Sequence, residues 1–295
     1  MKLSYILLIL IVPIFNIHGQ QDSLIREQQQ MIGELSGKYE WNGKSLNARS
    51  SSEERNLARD YLKDKIRSLG LEPKEHTYLM PNLNPLIDLL FAPFKGANVY
   101  TILEATEKID EYIVLGAHFD TEVGCPGAID NGTGVTLIFS VVKKLQSLDY
   151  RSKNIILIFF DQEEEELVGS QAFARHLKKE GLKIHSVHTV DTIGWDADGD
   201  GTVELELPSA ELEMVYTQVS QRIGQTFHLT RVNSTDHHSF RKLGYPAIGL
   251  TDEYVNGDYA PYKDTPQDIY ETVNFEFLAK STVFVYEVIK EIINQ

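Results

Sequence analysis

Apolar residues recur along this chain with two periods, and the alternation between them sets out an architecture. Over residues 53–69, Leu57, Ala58, Tyr61, Leu62, Ile66 and Leu69 fall on one face at helical spacing, and Gly70 follows as a stop. A second helix is predicted from Gly134, carrying Val135, Leu137, Ile138, Val141, Val142 and Leu145. Others are predicted from Ser170, read as the cap ahead of Phe173 and Leu177, and over 209–223 and 275–293. Residues 22–70 as a whole read as helical, with a polar interruption near 42–52. Short continuous apolar runs over 97–104, 111–117, 154–160, 186–192 and 247–251 predict buried strands, with 76–79 as an edge strand and a further strand over 203–207. Strands that alternate with helices predict an α/β layered domain with a mostly parallel central sheet. The stretch 80–94 is broken by Pro81, Pro85 and Pro93 and reads as a long loop, its Leu86, Leu89 and Leu90 covering the sheet.

The start of the chain changes this picture. Lys2 precedes an apolar run over 5–15 that is similar to a secretory signal peptide, and Gly19 offers a cleavage position. The run is short for a membrane span. The expectation is therefore a signal peptide over 1–19, one domain over 20–295, a secreted or periplasmic location, and no stable membrane association. A formal charge of −15, from 43 acids and 28 bases, argues against a nucleic-acid partner and mildly favours an amine-bearing ligand. Cys125 is the only cysteine, so no intrachain disulfide forms and stability must come from the core; the residue reads as a small buried thiol. Two glycosylation sequons, at Asn131 and Asn233, are not taken as evidence of a glycan, because the first lies inside the candidate site described next. Oligomeric state is left open.

Candidate chemistry gathers where the strands end. The run over 114–117 releases His118 and Asp120, the run over 155–160 releases Glu163 and Glu164, and the run over 187–190 releases Asp191. Asp130 sits in a glycine-rich turn ahead of a helix. A buried strand gains nothing from charge, and ligands of α/β sheets collect at the carboxyl ends of strands. A pair of metal ions bridged by one carboxylate needs four or five nitrogen and oxygen ligands from separate loops, plus a free acid to take a proton from water. His118 is a suitable ligand, and Asp120, two residues on, can orient its imidazole. Asp130 can bridge. Glu163 and Glu164 point to different sides, so one can bind metal while the other faces water. Each element alone has a plainer reading: a His-x-Asp pair is commonly structural, and the acidic run 163–166 could be a solvated face. The joint spacing is what carries specificity.

At this point the chain resembles the co-catalytic zinc aminopeptidases, a family that also includes glutamate carboxypeptidases and animal-type glutaminyl cyclases. The matching segments are 116–120 (Gly-Ala-His-Phe-Asp), 126–134 (Pro-Gly-Ala-Ile-Asp-Asn-Gly-Thr-Gly), 159–164 with 167–170, 191–194, and 234–240 with 244–247. The resemblance covers roughly residues 50–295. It implies a three-layer α/β/α sandwich with a mixed, mostly parallel central sheet, and two divalent metal ions, zinc first. It further implies that His118 and Asp191 hold one ion, that Glu164 helps hold the other, that Asp130 bridges, that Glu163 is the general base, and that Asp120 orients His118. Asp236 and His237 would line the substrate pocket. One departure stands out: the family's last ligand is a histidine in a Tyr-His-Thr-Pro-x-Asp-like turn, whereas this chain has Asp264 there, preceded by Lys263 and followed by Thr265, Pro266 and Asp268. Asp264 as ligand makes the second site all carboxylate, which weakens the preference for zinc and admits Mn, Mg or Ca. His237 or His238 could reach in instead, and Lys263 is a candidate donor to the oxyanion.

The reading is a secreted metal-dependent aminopeptidase acting on peptide substrates. Its rivals are a glutaminyl cyclase-like acyltransferase and a non-catalytic binding protein with a degenerate second metal site. Elsewhere, Asp196, Asp198 and Asp200 imitate the first half of a calcium loop, but the twelfth position is Leu207 instead of Glu, so a tight acidic turn is favoured. His76, His176, His185, His188 and His228 read as surface or packed histidines.

Overall fold

Eight strands form one mixed sheet in the order β1-β2-β4-β3-β5-β8-β6-β7. The strands are β1 (Lys74–Met80), β2 (Phe94–Leu103), β3 (Tyr112–His118), β4 (Asn154–Phe160), β5 (Ile184–Val190), β6 (Val203–Glu206), β7 (Phe227–Thr230) and β8 (Ala247–Thr251). The central run β4-β3-β5-β8 is parallel, as is β6 with β7, while β1 on β2, β2 on β4 and β6 on β8 are antiparallel. Helices α1 (Phe15–Leu35), α2 (Ser52–Ser68), α3 (Gly132–Gln146), α4 (Val168–Glu180), α5 (Ala210–Ile223), α6 (His237–Arg241) and α7 (Phe275–Ile293) flank it. This is a computed structural model, and it describes residues 15–81 and 92–294.

The pleat of β4 explains why its sequence is an unbroken apolar run. Ile155, Leu157 and Phe159 enter one core, together with α2, α3, α5 and α7. Ile156, Ile158 and Phe160 enter a second core on the other face, with Phe173, Ala174 and Leu177 of α4 and Phe240 of α6. A strand covered on both faces needs apolar side chains at every position. The layering is the α/β/α sandwich that the sequence suggested.

Several boundaries differ from expectation. The strand predicted over 186–192 runs Ile184–Val190; the Asp191 N–H still bonds Leu250 O at 2.9 Å, and the backbone then bends through Thr192, a left-handed residue at φ 42°. Ser170 does not cap α4; the cap is Leu167, also left-handed, and Ser170 Oγ lies inside the helix, bonded to Leu167 O and Ser239 Oγ. Strand β7 and helix α6 were not predicted; each spans no more than five residues, and β7 is not buried, so neither leaves a periodic signature. The apolar loop and the signal-like start fall largely on residues 82–91 and 1–14, outside the described residues. Among the described residues, no helix is long and apolar enough to cross a membrane.

Candidate metal centre

Three adjacent parallel strands deliver the site. His118 is the last residue of β3, paired in register with Phe160 at the end of β4. Glu163 and Glu164 follow β4, and Asp191 follows β5 on the other side of β3. Asp130 arrives from the turn that starts α3. His118 Nε2 lies 3.1 Å from Asp130 Oδ1, 3.4 Å from Asp191 Oδ1 and 4.0 Å from Glu163 Oε2. Two sets of ligand atoms share this imidazole: His118 with Asp130 and Glu164, and His118 with Glu163 and Asp191, each mutually within 4.8 Å.

Side chains behind the site hold these loops. Asp120 Oδ1 accepts from the Glu163 N–H at 3.0 Å and Oδ2 from the Glu164 N–H at 3.2 Å, so one carboxylate anchors both glutamates. The same Asp120 stands 3.5 Å from His118 Nδ1, while its backbone carbonyl lies closer, at 3.2 Å. Asp268 accepts from the Ile129 and Asp130 N–H groups, both at 2.9 Å. Asn131, fully buried, caps α3 through the Gly134 N–H and donates to Val190 O beside Asp191. Arg49, also fully buried, donates to the carbonyls of Leu35, Phe119, Pro126 and Gly127. Gly127 is needed there: at φ 59°, an added Cβ would stand 2.3 Å from Thr121 Cγ2 and 2.4 Å from Asp130 O. Left-handed non-glycine residues also crowd the site, at Gln162, Glu166, Leu167, Thr192 and Asp264. Such strain persists only where surrounding structure imposes it, and it gathers at functional sites.

Electrostatics set the cage apart from ordinary surface acids. Burial pushes the Glu163 carboxyl well above its usual range. Burial and then the Asp130 charge push Glu164 up to about 9. Burial opposes the charge on Asp130 as well, but the Lys263 ammonium and His118 outweigh it and hold that carboxyl below its usual range. His118 is desolvated too, yet Glu163 and Asp191 pull its proton affinity upward. Buried acids that repel each other favour a cation among them. Both Asp130 oxygens are buried and accept no hydrogen bond of ordinary geometry, although His118 and Lys263 stand at ion-pair distance. One imidazole and several carboxylates with free lone pairs are donors suited to zinc or a similar divalent ion.

The remaining predicted residues divide. Asp236 is buried near His118, with Oδ1 unpartnered, and burial raises its carboxyl to about 7. His237 is buried against Thr235 Oγ1 at 2.8 Å and Glu206 Oε2 at 3.4 Å, and belongs to neither ligand set. Asp264 is exposed and outside both sets, yet its carboxyl meets Asp130, and Lys263 Nζ reaches Asp130 Oδ2 at 3.1 Å.

Residues 98–289 match the sequence pattern of peptidase family M28. The chain belongs to peptidase family M28. It is 26% identical to aminopeptidase YwaD of Bacillus subtilis over 194 residues, which is 62% of this chain and 42% of YwaD. It is likewise 26% identical to a probable glutamate carboxypeptidase, LAMP1, of Arabidopsis thaliana over 160 residues, 51% of this chain and 23% of that protein. The chain thus spans less than half the length of these relatives. Among solved structures, BSAP, a zinc aminopeptidase from Bacillus subtilis, superposes with a TM-score of 0.79 at 16% identity, over 91% of this chain and 95% of BSAP. Porphyromonas gingivalis glutaminyl cyclase superposes with a TM-score of 0.72 at 18% identity, over 92% and 98%. At those identities the likeness is one of fold.

Within this M28 chain, sequence reasoning passed over Arg49 and the anchoring roles of Asp268 and Asn131. Arg49 falls in the polar stretch near 42–52, which reads as a mere break between helices. Asp268 and Asn131 were visible only as members of motifs. In the acidic turn Asp196–Asp200, Asp196, Asp198 and Asp200 accept from the N–H groups of Gly201, Asp200 and Thr202, a strand follows, and the three carboxylates lie close enough together to hold a cation. Cys125 is buried, and burial pushes its thiol up to about 12.

Proposed function

We propose that this chain is a secreted, metal-dependent aminopeptidase that removes N-terminal residues from peptides. The observation that supports it is the pair of ligand sets sharing His118, one with Asp130 and Glu164 and one with Glu163 and Asp191, at buried carboxylates. His118 and Asp191 would hold one ion and Glu164 would serve a second, with Asp130 between them, and zinc is the first choice because BSAP is described as a zinc aminopeptidase. A bound divalent ion supplies a polarised carbonyl and an acidified water. Glu163, held by its N–H on Asp120, takes the proton from the attacking water and returns it to the departing amine. Asp120 and its carbonyl face His118 Nδ1, which leaves Nε2, on the side of Asp130 and Asp191, as the nitrogen that would ligate. Asp236, with Oδ1 unpaired, is an acceptor for the positively charged substrate N-terminus, and His237, whose Nε2 is also unpaired, lines the same pocket. Secretion rests on the signal-like residues 1–19, and the acidic balance disfavours nucleic acid.

The test uses the purified chain stripped with chelator and reloaded with zinc, assayed on aminoacyl chromophores and on peptides with N-terminal Gln. Zinc-dependent release of the N-terminal residue is expected, and Glu163→Gln should lower it by about 10²- to 10⁴-fold while retaining metal. Cyclisation of Gln peptides without hydrolysis would move the chain to the transferase reading. Metal binding without turnover would make it a binding protein.

A further inference from the structure

The two oxygens of Asp130 face different cations. Oδ1 looks toward His118 Nε2 at 3.1 Å, on the side where Asp191 and Glu163 also gather. Oδ2 looks toward Lys263 Nζ, likewise at 3.1 Å. A carboxylate that bridges two metal ions gives one oxygen to each, so the lysine stands where the second ion would draw on Asp130. We infer that the Lys263 ammonium serves as the second cation of this site, and that the chain holds one divalent ion, on the His118 side.

Three further features agree. Apart from His118, which also faces Asp191 and Glu163, the side chains near a second ion are carboxylates, Glu164 and Asp264, a set that weakens the preference for zinc. Asp264 is exposed, takes a left-handed backbone conformation at φ 61° and meets Asp130 through its carboxyl, while the preceding Lys263 holds Asp130 Oδ2 at 3.1 Å. An ammonium is a compact point charge with three donors, so it can satisfy Asp130 Oδ2 and still face its neighbours. A dication bound through the same oxygen would meet that charge at close range, in a partly desolvated setting where repulsion is weakly screened.

This inference rests on the metalloenzyme reading, and counting ions separates the two. The full-length chain is loaded with excess zinc, desalted and weighed intact by native mass spectrometry, with elemental analysis alongside. One zinc per chain is expected for the wild type and for Lys263→Arg. A twofold rise, to two, is expected for Lys263→Met and for Lys263→Met combined with Asp264→His. Should Lys263→Met fail to fold, Lys263→Gln makes the same comparison. With cobalt in place of zinc, spin coupling between two ions should appear only in the neutral variants. Two ions in the wild type would overturn the inference and leave the peptidase reading standing. One ion in wild type and neutral variants alike would remove Lys263 from the role. No ion in any variant would sink both.

Discussion

Replacing Asp120 by Asn keeps the shape of the side chain and removes one acceptor. Today Oδ1 and Oδ2 receive the Glu163 and Glu164 N–H groups at 3.0 and 3.2 Å. In the variant one of those N–H groups faces an NH₂ donor, while the His118 Nδ1 contact with the Asp120 carbonyl survives. A hydrogen bond to a charged group contributes about 1.5 to 3 kcal/mol, so the loss should be about 2 kcal/mol of stability with zinc saturating. Saturation matters, because it quenches the repulsion among the acids that Asp120→Asn would otherwise relieve. Zinc affinity should fall by about 10- to 100-fold, the range seen when a group that orients a metal ligand is removed. Asp120→Ala, which strands both N–H groups, should lose more on each count. Urea unfolding and competition against a chromophoric chelator measure the two quantities. An Asn variant within 0.5 kcal/mol and twofold of wild type, a margin set by ordinary surface substitutions, would refute the anchoring role.

Arg49→Met leaves four carbonyls without their donor and should lower stability by about 3 to 5 kcal/mol in urea, with zinc affinity falling too because the Pro126–Gly127 turn leads to Asp130. A loss under 1 kcal/mol would mean the arginine is incidental. His188 is buried between Tyr216 and Ser186, and burial, then His185, lowers its pKa to about 3, below the unfolded value near 6.5. The stability it contributes is present above pH 6.5 and drains away as pH falls toward 3. By pH 4.5 wild type should have lost about 2 to 3 kcal/mol relative to His188→Gln; parallel stability-versus-pH curves for the two proteins would contradict this.

Strands buried on both faces announced themselves. The alternating assignment of 155–160 to two cores is why that run is apolar throughout, and its bounds were read to the residue. Helix α7 was equally clear, since one long amphipathic stretch supplies many consistent positions. Elements with few buried residues, such as β7, had no pattern to read. At the site, residues that stand directly at strand ends were nameable because a charge beside an apolar run is conspicuous. Arg49 was not, because a buried guanidinium bonded to carbonyls looks in sequence like any loop arginine. Nor could spacing tell that Lys263, beside Asp264, holds Asp130 Oδ2.

A divalent ion should bind at the end of β3. Crystals of the zinc-loaded chain, with diffraction recorded on both sides of the zinc absorption edge, test it directly. An anomalous peak is expected about 2.0 to 2.2 Å from His118 Nε2 and from carboxylate oxygens of Asp130 and Asp191. A zinc-loaded crystal with no peak there, or with its peak elsewhere on the molecule, would contradict it.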